Sequence, residues 1–181
     1  MDPIDLLSKF FPEPEAFRIV LEHSRLVAAK AVAIARALEG PVDIPFVEEA
    51  ALLHDIGICR TFSPGIGCFG NDHYISHGIH GRAILEAEGL PRHALVCERH
   101  IGVGLTKDDI IAQDLPLPYR NMSPTTLEEE IISFADLFYS KKPATLAQEK
   151  SIDAVRHSLR AFGDHKAVIF DQWLVRFATS P

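Results

Sequence analysis

The stretch Glu48-Glu49-Ala50-Ala51-Leu52-Leu53-His54-Asp55-Ile56-Gly57 decides how the rest of the chain is interpreted. Its apolar run has helical spacing and ends in an imidazole beside a carboxylate, just before a glycine that can stop a helix. Neighbouring side chains on a helix diverge by about 100°, so His54 and Asp55 would meet only on something between them, such as a metal ion. A buried carboxylate without a partner is costly, and other interior helices should therefore carry matching ligands.

Two other apolar helices carry such a residue. The helix predicted from Glu15 to about Leu38 has His23 on its apolar side, where the alternative is a core histidine bonded to a carbonyl. A later helix has Asp136 among apolar residues, without an Arg or Lys one turn away. Imidazole and carboxylate ligands together suit Mn, Fe, Co, Ni, Mg or Zn better than a site built for thiolates. The predicted set is His23, His54, Asp55 and Asp136.

Apolar residues recur at helical spacing through most of the chain, which predicts an all-α fold without a convincing run of strands. The length of 181 residues suits a single domain spanning 1–181, with a core at about 15–140 and C-terminal helices within 148–178 packed on it. Ser76 is predicted to cap one helix, and Thr125 with Glu128 has the spacing of a capping box. The glycine-rich stretch 62–72 is predicted to be a loop, because its glycines do not follow a strand into a helix.

The last predicted helix carries an apolar stripe that has two interpretations. The stripe belongs either to the core or to the surface of a homodimer. Its residues are Phe170, Trp173, Leu174 and Phe177.

Composition excludes several classes of protein. Hydrophobic residues make up 47% of the chain, but no apolar run approaches the roughly 20 residues of a membrane span. The acidic start Met1–Asp5 lacks the features of a secretory signal, so we expect a cytoplasmic protein. The formal charge of −7 opposes non-specific binding to nucleic acid. The three cysteines form no CxxC pair and are predicted to be reduced thiols.

The order of these ligands resembles the H…HD…D signature of the HD-domain superfamily of metal-dependent phosphohydrolases. The central pair, His54-Asp55-Ile56-Gly57, has the HDIG form of that signature. The resemblance covers roughly 22–139. The detailed runs 100–102 and 124–136 are similar to a small uncharacterised microbial HDIG subfamily.

This resemblance implies a helical bundle that binds one or two divalent metal ions. His23, His54, Asp55 and Asp136 match the primary ligands. In members with two metals, His77 and His100 match the positions that hold the second ion, and Asp55 bridges the two. His80 competes with His77 for this role, but the family pattern favours His77 and leaves His80 for substrate contact or the surface.

The implied activity is hydrolysis of a phosphoester, such as a nucleotide or another small phosphorylated substrate, by a metal-activated water. Asp55 would orient the attacking water, and Glu98 is a candidate general acid or base. Many HDIG members have a basic residue directly after the glycine, whereas this chain has Ile58. Arg60 or Arg99 would then have to neutralise the substrate's charge. The simpler interpretation of Glu98, Arg60 and Arg99 is that they are solvated surface charges.

Two other functions use the same ligands. The six-residue set with His77 and His100 also permits a di-iron oxygenase, an activity found in some members of the superfamily. A non-catalytic module that senses a nucleotide is the third alternative. Retention of every ligand type argues against that module, because unpaired carboxylates are costly to bury.

Overall fold

The computed structural model describes residues 2–177, and helices account for most of the regular structure in them. The predicted all-α fold is confirmed. Met1 and positions 178–181 lie outside the described residues. The predicted domain 1–181 includes all of these positions, and the predicted C-terminal helices end at position 178. The nine α-helices within residues 2–177 are α1 (Pro3–Phe10), α2 (Pro14–Ala37), α3 (Ile44–Leu53), α4 (His77–Ala87), α5 (Pro91–Arg99), α6 (Lys107–Ala112), α7 (Leu127–Asp136), α8 (Ile152–Arg160) and α9 (Asp164–Phe177).

Several helices begin where a side-chain oxygen accepts from the free N–H groups of the first turn. Asp2 accepts from the first turn of α1, Asp43 from that of α3, and Ser151 from that of α8. Thr106 forms a reciprocal capping box with Asp109 at the start of α6. The starts of these helices are therefore specified locally.

Two of the predicted caps are wrong. Ser76 precedes α4 but makes no capping hydrogen bond, because it ends a 3₁₀ turn and is itself in a helical conformation. The cap of α7 is Thr126 rather than Thr125, since the extended Thr126 places its hydroxyl within reach of the Glu129 N–H. The hydroxyl of Thr125 instead accepts a hydrogen bond from Arg99.

Helix α2 lies at the centre of the larger apolar cluster. It packs against α3 and α7, and its Val27 and Ala31 are fully buried there. Side chains of α8 and α9 complete the same cluster. Phe170, Trp173 and Phe177 are buried in it, so the C-terminal stripe belongs to the core and offers no argument for a homodimer.

A second apolar cluster contains side chains of α1, α4, α5 and the turn that follows α3. The N-terminal half of α2 reaches this cluster through Val20, whereas Val27 belongs to the larger one. His23 lies between these two positions of α2 and is fully buried. The histidine is thus held at the junction of the two halves of the core.

The glycine-rich stretch contains a short hairpin that the sequence did not predict. Strand β1 (Phe62–Ser63) pairs antiparallel with β2 (Cys68–Phe69) around a 3₁₀ turn. Phe62 and Phe69 are register partners, and both are mostly exposed.

The cysteines agree with the prediction of reduced thiols. Cys59, Cys68 and Cys97 are all free. Burial raises the pKa of Cys68 to about 11, so this thiol is protonated at neutral pH. Within residues 2–177, no helix combines the length and apolar character needed to cross a membrane.

Gly57 allows two segments of backbone to cross at close range. It lies in the 3₁₀ turn Ile56–Arg60, directly against α4. A Cβ atom at Gly57 would lie 2.0 Å from the carbonyl oxygen of His77 and 2.3 Å from the amide nitrogen of Gly81. Since backbone atoms cannot rotate away as a flexible side chain can, only glycine fits here.

We expect Gly57→Ala to lower the free energy of unfolding by about 3 kcal/mol, the upper end of the usual cost of overpacking. Gly65→Ala is the matched control, because a Cβ there meets no atom within 4 Å. Urea denaturation of both variants measures the difference. Equal stability of the two would show that α4 does not press on Gly57.

Candidate metal centre

His54 and Asp55 converge because the helix ends between them. His54 closes α3 in a helical conformation, whereas Asp55 has φ −104° and ψ 8° and starts the following 3₁₀ turn. Their side chains therefore do not diverge as they would within a helix. His54 Nε2 lies 3.1 Å from Asp55 Oδ2, and both residues are fully buried.

Four of the predicted ligands meet at this point. His23 Nε2 on α2 lies 2.9 Å from Asp136 Oδ1 on α7 and 3.3 Å from Asp55 Oδ2. His54 Nε2 lies 3.4 Å from the same oxygen of Asp136. One ligand atom from each of the four residues lies within 4.8 Å of every other, a grouping that could hold a metal ion. Three helices thus supply the set that the sequence predicted.

The other oxygen of Asp55 faces a second group. Asp55 Oδ1 lies 3.5 Å from His77 Nε2, on α4, and 3.6 Å from His100 Nε2, which caps α5. The two imidazole nitrogens are 3.1 Å apart. These three residues form a further group that could hold a metal ion. Asp55 is the residue that the two groups share.

Backbone carbonyls orient three of the imidazoles. The Nδ1 atoms of His54, His77 and His100 lie 2.6, 2.7 and 2.8 Å from the carbonyl oxygens of Ala51, Tyr74 and Cys97, respectively. A proton on each Nδ1 can donate to that carbonyl, which leaves the Nε2 lone pair free to point into the centre.

Unsatisfied polar atoms indicate that the centre suits a cation. His54 Nε2 and both carboxylate oxygens of Asp55 are buried and have no partner in hydrogen-bond geometry. Buried polar atoms nearly always have a partner. A divalent ion in each group would satisfy these atoms together, and the donors match the N and O ligands that such ions take.

The charges in the centre shift its pKa values strongly. Burial lowers the pKa of His54, but the charges of Asp55 and Asp136 outweigh it and raise that pKa to about 10. Burial is also the main reason that the pKa of His77 falls to about 3. The first group thus stabilises positive charge beside its carboxylates, whereas His77 stays neutral, the form that binds metals.

Lys141 is the residue of the centre that sequence reasoning missed. Its Nζ lies 2.6 Å from Asp55 Oδ2 and 3.8 Å from Asp136 Oδ1. Asp55 and Asp136 raise the pKa of Lys141 despite its burial. The residues one helical turn from Asp136 include no basic side chain, whereas Lys141 follows the end of α7 and returns to the centre through the loop. The sequence signal that could have identified Lys141 is a basic residue shortly after the end of the helix that carries Asp136.

Glu98 and Arg99 are engaged elsewhere. Glu98 is buried and forms ion pairs with Arg82 and Arg120. Arg99 pairs with buried Glu129 at 2.9 Å. The interpretation as a solvated surface charge is therefore wrong for Glu98. These ion pairs do not support the predicted role of Glu98 as a general acid or base, or that of Arg99 in substrate binding.

Arg60 and His80 lie outside both groups. Arg60 is exposed at the end of the 3₁₀ turn. His80 is on α4, one turn after His77, and its Nε2 lies 2.9 Å from Asp72 Oδ2. The structure therefore brings His77 to the centre, and it leaves His80 beside the loop 62–72.

We expect Asp55→Ala to remove bound metal completely, because it deletes the residue common to both groups. His100→Ala should reduce two metal ions per chain to one while the first group stays intact. Elemental analysis of purified protein measures both, and His157→Ala, at an exposed position of α8, is the control. Unchanged metal content in Asp55→Ala would refute the centre, and one ion in both wild type and His100→Ala would refute the second group.

Comparisons with known proteins agree with this arrangement. The sequence model of the HD domain family matches residues 20–140. An uncharacterized protein of Methanocaldococcus jannaschii is 40% identical over 121 residues, 65% of this chain and 64% of that protein. A tRNA (cytidine(56)-2'-O)-methyltransferase of Thermoplasma volcanium is 37% identical over 147 residues, 80% of this chain and 38% of that protein. The chain thus spans less than two thirds of the length of these relatives.

Solved structures share the fold. The HD domain of the L. monocytogenes phosphodiesterase PgpH aligns with a TM-score of 0.56 at 21% identity, covering 96% of this chain and 86% of that chain. Its complex with cyclic-di-AMP aligns with a TM-score of 0.55 at 20% identity, covering 97% and 85%. The narrower HDIG subfamily stays a prediction. The family match covers more than half of the sequence and includes His23, His54, Asp55 and Asp136, and the chain therefore belongs to the HD domain family.

Proposed function

We propose that the protein is a metal-dependent phosphohydrolase that acts on a small phosphorylated substrate. The observation that carries this proposal is the sharing of Asp55 between two groups of metal-binding side chains, with Lys141 beside them. Two cations and an ammonium group in one place suit a ligand with several negative oxygens, as a phosphoester has.

The residues of the centre divide into two sets. His23, His54, Asp136 and Oδ2 of Asp55 would hold one ion, and His77, His100 and Oδ1 of Asp55 would hold the other. When bound, the ions would supply a water of lowered pKa and neutralise charge on a phosphoryl oxygen. In the reaction, the oxygen of water bonds to phosphorus and the ester P–O bond breaks. The alcohol leaves with one proton of the water, and phosphate is released.

Lys141 would take the role that the sequence assigned to Arg60 or Arg99. Its side chain and that of Asp136 both line a cavity, and its ammonium group lies 2.6 Å from Asp55, whereas Arg99 is paired with Glu129. The ammonium group of Lys141, which lies beside Asp55 and Asp136, would contact a phosphoryl oxygen of the bound substrate. This assignment removes the difficulty raised by Ile58, because the positive charge comes from the segment after α7.

The names of similar proteins bear on this proposal to different degrees. The PgpH domain is titled a phosphodiesterase, and one of its structures contains cyclic-di-AMP. Both facts favour a phosphoester as the class of substrate. The proteins named as methyltransferases match this chain over only 38% or 30% of their own length. Their name therefore does not support methyl transfer as the activity of this chain.

The activity can be tested with metal-depleted protein reconstituted separately with Mn, Fe, Co, Ni, Mg or Zn. We expect hydrolysis of at least one nucleotide, cyclic nucleotide, sugar phosphate or aryl phosphate with at least one of these ions, measured as free phosphate for monoesters and by chromatography of the opened product for cyclic nucleotides. Asp55→Ala should be inactive under the same conditions. Oxygen consumption by the iron-loaded protein, with an EPR signal from a mixed-valent pair, would favour the oxygenase instead. Nucleotide binding without turnover of any phosphoester would favour the sensing module.

We expect Lys141→Met to lower kcat/KM about 10- to 100-fold, the loss that follows removal of one charge-assisted hydrogen bond. The metal content should stay unchanged, because Lys141 is not a metal ligand. Lys142→Met, at the exposed neighbouring position, should behave as wild type. Equal kinetics of Lys141→Met and Lys142→Met would show that Lys141 does not contact the substrate.

A further inference from the structure

A cavity of about 300 Å³ opens beside the candidate metal centre. Asp136 and Lys141 form part of its wall, so a ligand in the cavity would have one end next to the metal-binding groups. The rest of the wall comes from the turn before α4, the segment 101–105, the segment after α6, and α8. This cavity would hold the part of a substrate that extends away from the phosphate.

The wall of the cavity is largely aliphatic. It is formed by apolar side chains from five parts of the chain, including the segment after α7, with the exposed ring of Phe162 also contributing. The aliphatic residues are Ile75, Ile101, Val103, Leu105, Leu115, Leu137, Val155 and Leu159. A hydroxylated group in contact with such a wall would lose hydrogen bonds to water without gaining new ones.

The polar side chains of the wall are mostly engaged within the protein. Lys166 Nζ donates to the carbonyl of Gly104 and to Asp109. Lys150 Nζ donates to the carbonyls of Leu137 and Tyr139, and the hydroxyl of Ser158 donates to a carbonyl of its own helix. These groups therefore have less capacity to bind the hydroxyl groups of a sugar.

The volume also limits the ligand. Pockets for ligands of drug size range from roughly 300 to 1,000 Å³, so this cavity lies at the lower end. It has room for one ring system. A dinucleotide, with two bases and two sugars, would have to leave half of its surface outside.

We propose that the substrate is a phosphomonoester whose alcohol carries a single apolar or aromatic ring, which occupies this cavity while the phosphate contacts Lys141. This inference rests on the proposed phosphohydrolase function and narrows its substrate class. Hydrolysis adds water across the ester P–O bond and releases the ring-bearing alcohol and inorganic phosphate. A simple aryl or benzyl phosphate has this chemistry, whereas sugar phosphates, cyclic dinucleotides and nucleoside monophosphates, all of which carry a hydroxylated sugar, do not.

The first test compares matched ligands on wild-type, metal-loaded protein. Calorimetric titration should give benzylphosphonate an affinity about tenfold or more above that of methylphosphonate, the ratio expected for burying one aromatic ring. Release of inorganic phosphate should show a similar preference in kcat/KM for phenyl phosphate over glucose 6-phosphate and nucleoside monophosphates. Hydrolysis of cyclic-di-AMP gives a phosphomonoester rather than free phosphate, so it is followed by chromatography and should be slower still.

The second test fills the cavity from α8. Ser158 and His157 are both exposed, but only Ser158 lines the cavity, so Ser158→Trp places a large side chain there and His157→Trp places the same side chain outside it. We expect Ser158→Trp to raise KM for ring-bearing substrates about tenfold or more with little change in metal content or in methylphosphonate binding. His157→Trp should match wild type. Circular dichroism and urea denaturation check the fold of both.

Separate outcomes contradict the two proposals. Selective binding of benzylphosphonate, lost in Ser158→Trp, without hydrolysis of any phosphoester would refute the phosphohydrolase function and leave the cavity assignment standing. Hydrolysis without preference for ring-bearing substrates, and equal in Ser158→Trp and His157→Trp, would refute the cavity assignment alone. A preference for a nucleoside monophosphate or for cyclic-di-AMP over phenyl phosphate would also refute it. If Ser158→Trp fails to fold, the comparison of ligands on wild-type protein decides the question.

Discussion

The buried carboxylate of Asp55 is the constraint on which the arrangement of the interior depends. Both of its oxygens are inaccessible to water and lack hydrogen-bond partners in good geometry. A charge in this position is tolerated only where opposite charge surrounds it. The charge of His54 and that of Lys141 hold the pKa of Asp55 well below its usual range, although burial opposes them. Five helices or their ends deliver side chains to this one group.

The packing of the helices brings these side chains to Asp55. Helix α2 places His23 between the two apolar clusters, and α7 ends at Asp136. The second group depends on Gly57, because the turn that begins at Asp55 must touch α4 closely enough for His77 to reach the carboxylate. A substitution that pushes the turn away from α4 at Gly57 would therefore also move His77, a proposed ligand, away from Asp55.

The sequence predicted the helices, and it singled out the four side chains that the structure brings together in the first group, for a physical reason. Helical periodicity and local caps are properties of short segments, and an imidazole or carboxylate on an apolar face is visible wherever it departs from that periodicity. The same reasoning did not predict which charged side chains are buried or how they pair. Nothing in the sequence indicated that Glu98 is buried between two arginines, or that Arg99 would be paired with Glu129 on another helix.

The sequence by itself determined the all-α fold through helical periodicity, and it indicated the HD domain family and the candidate ligands His23, His54, Asp55 and Asp136 through the order of these residue types along the chain. Only the tertiary structure decided that Lys141 reaches Asp55 and that an aliphatic cavity adjoins the centre. Both depend on how the loop after α7 and the helix α8 return to the core. Such contacts join residues that are distant in the sequence or lie beyond the end of a helix, where no periodic pattern predicts which side chains will meet.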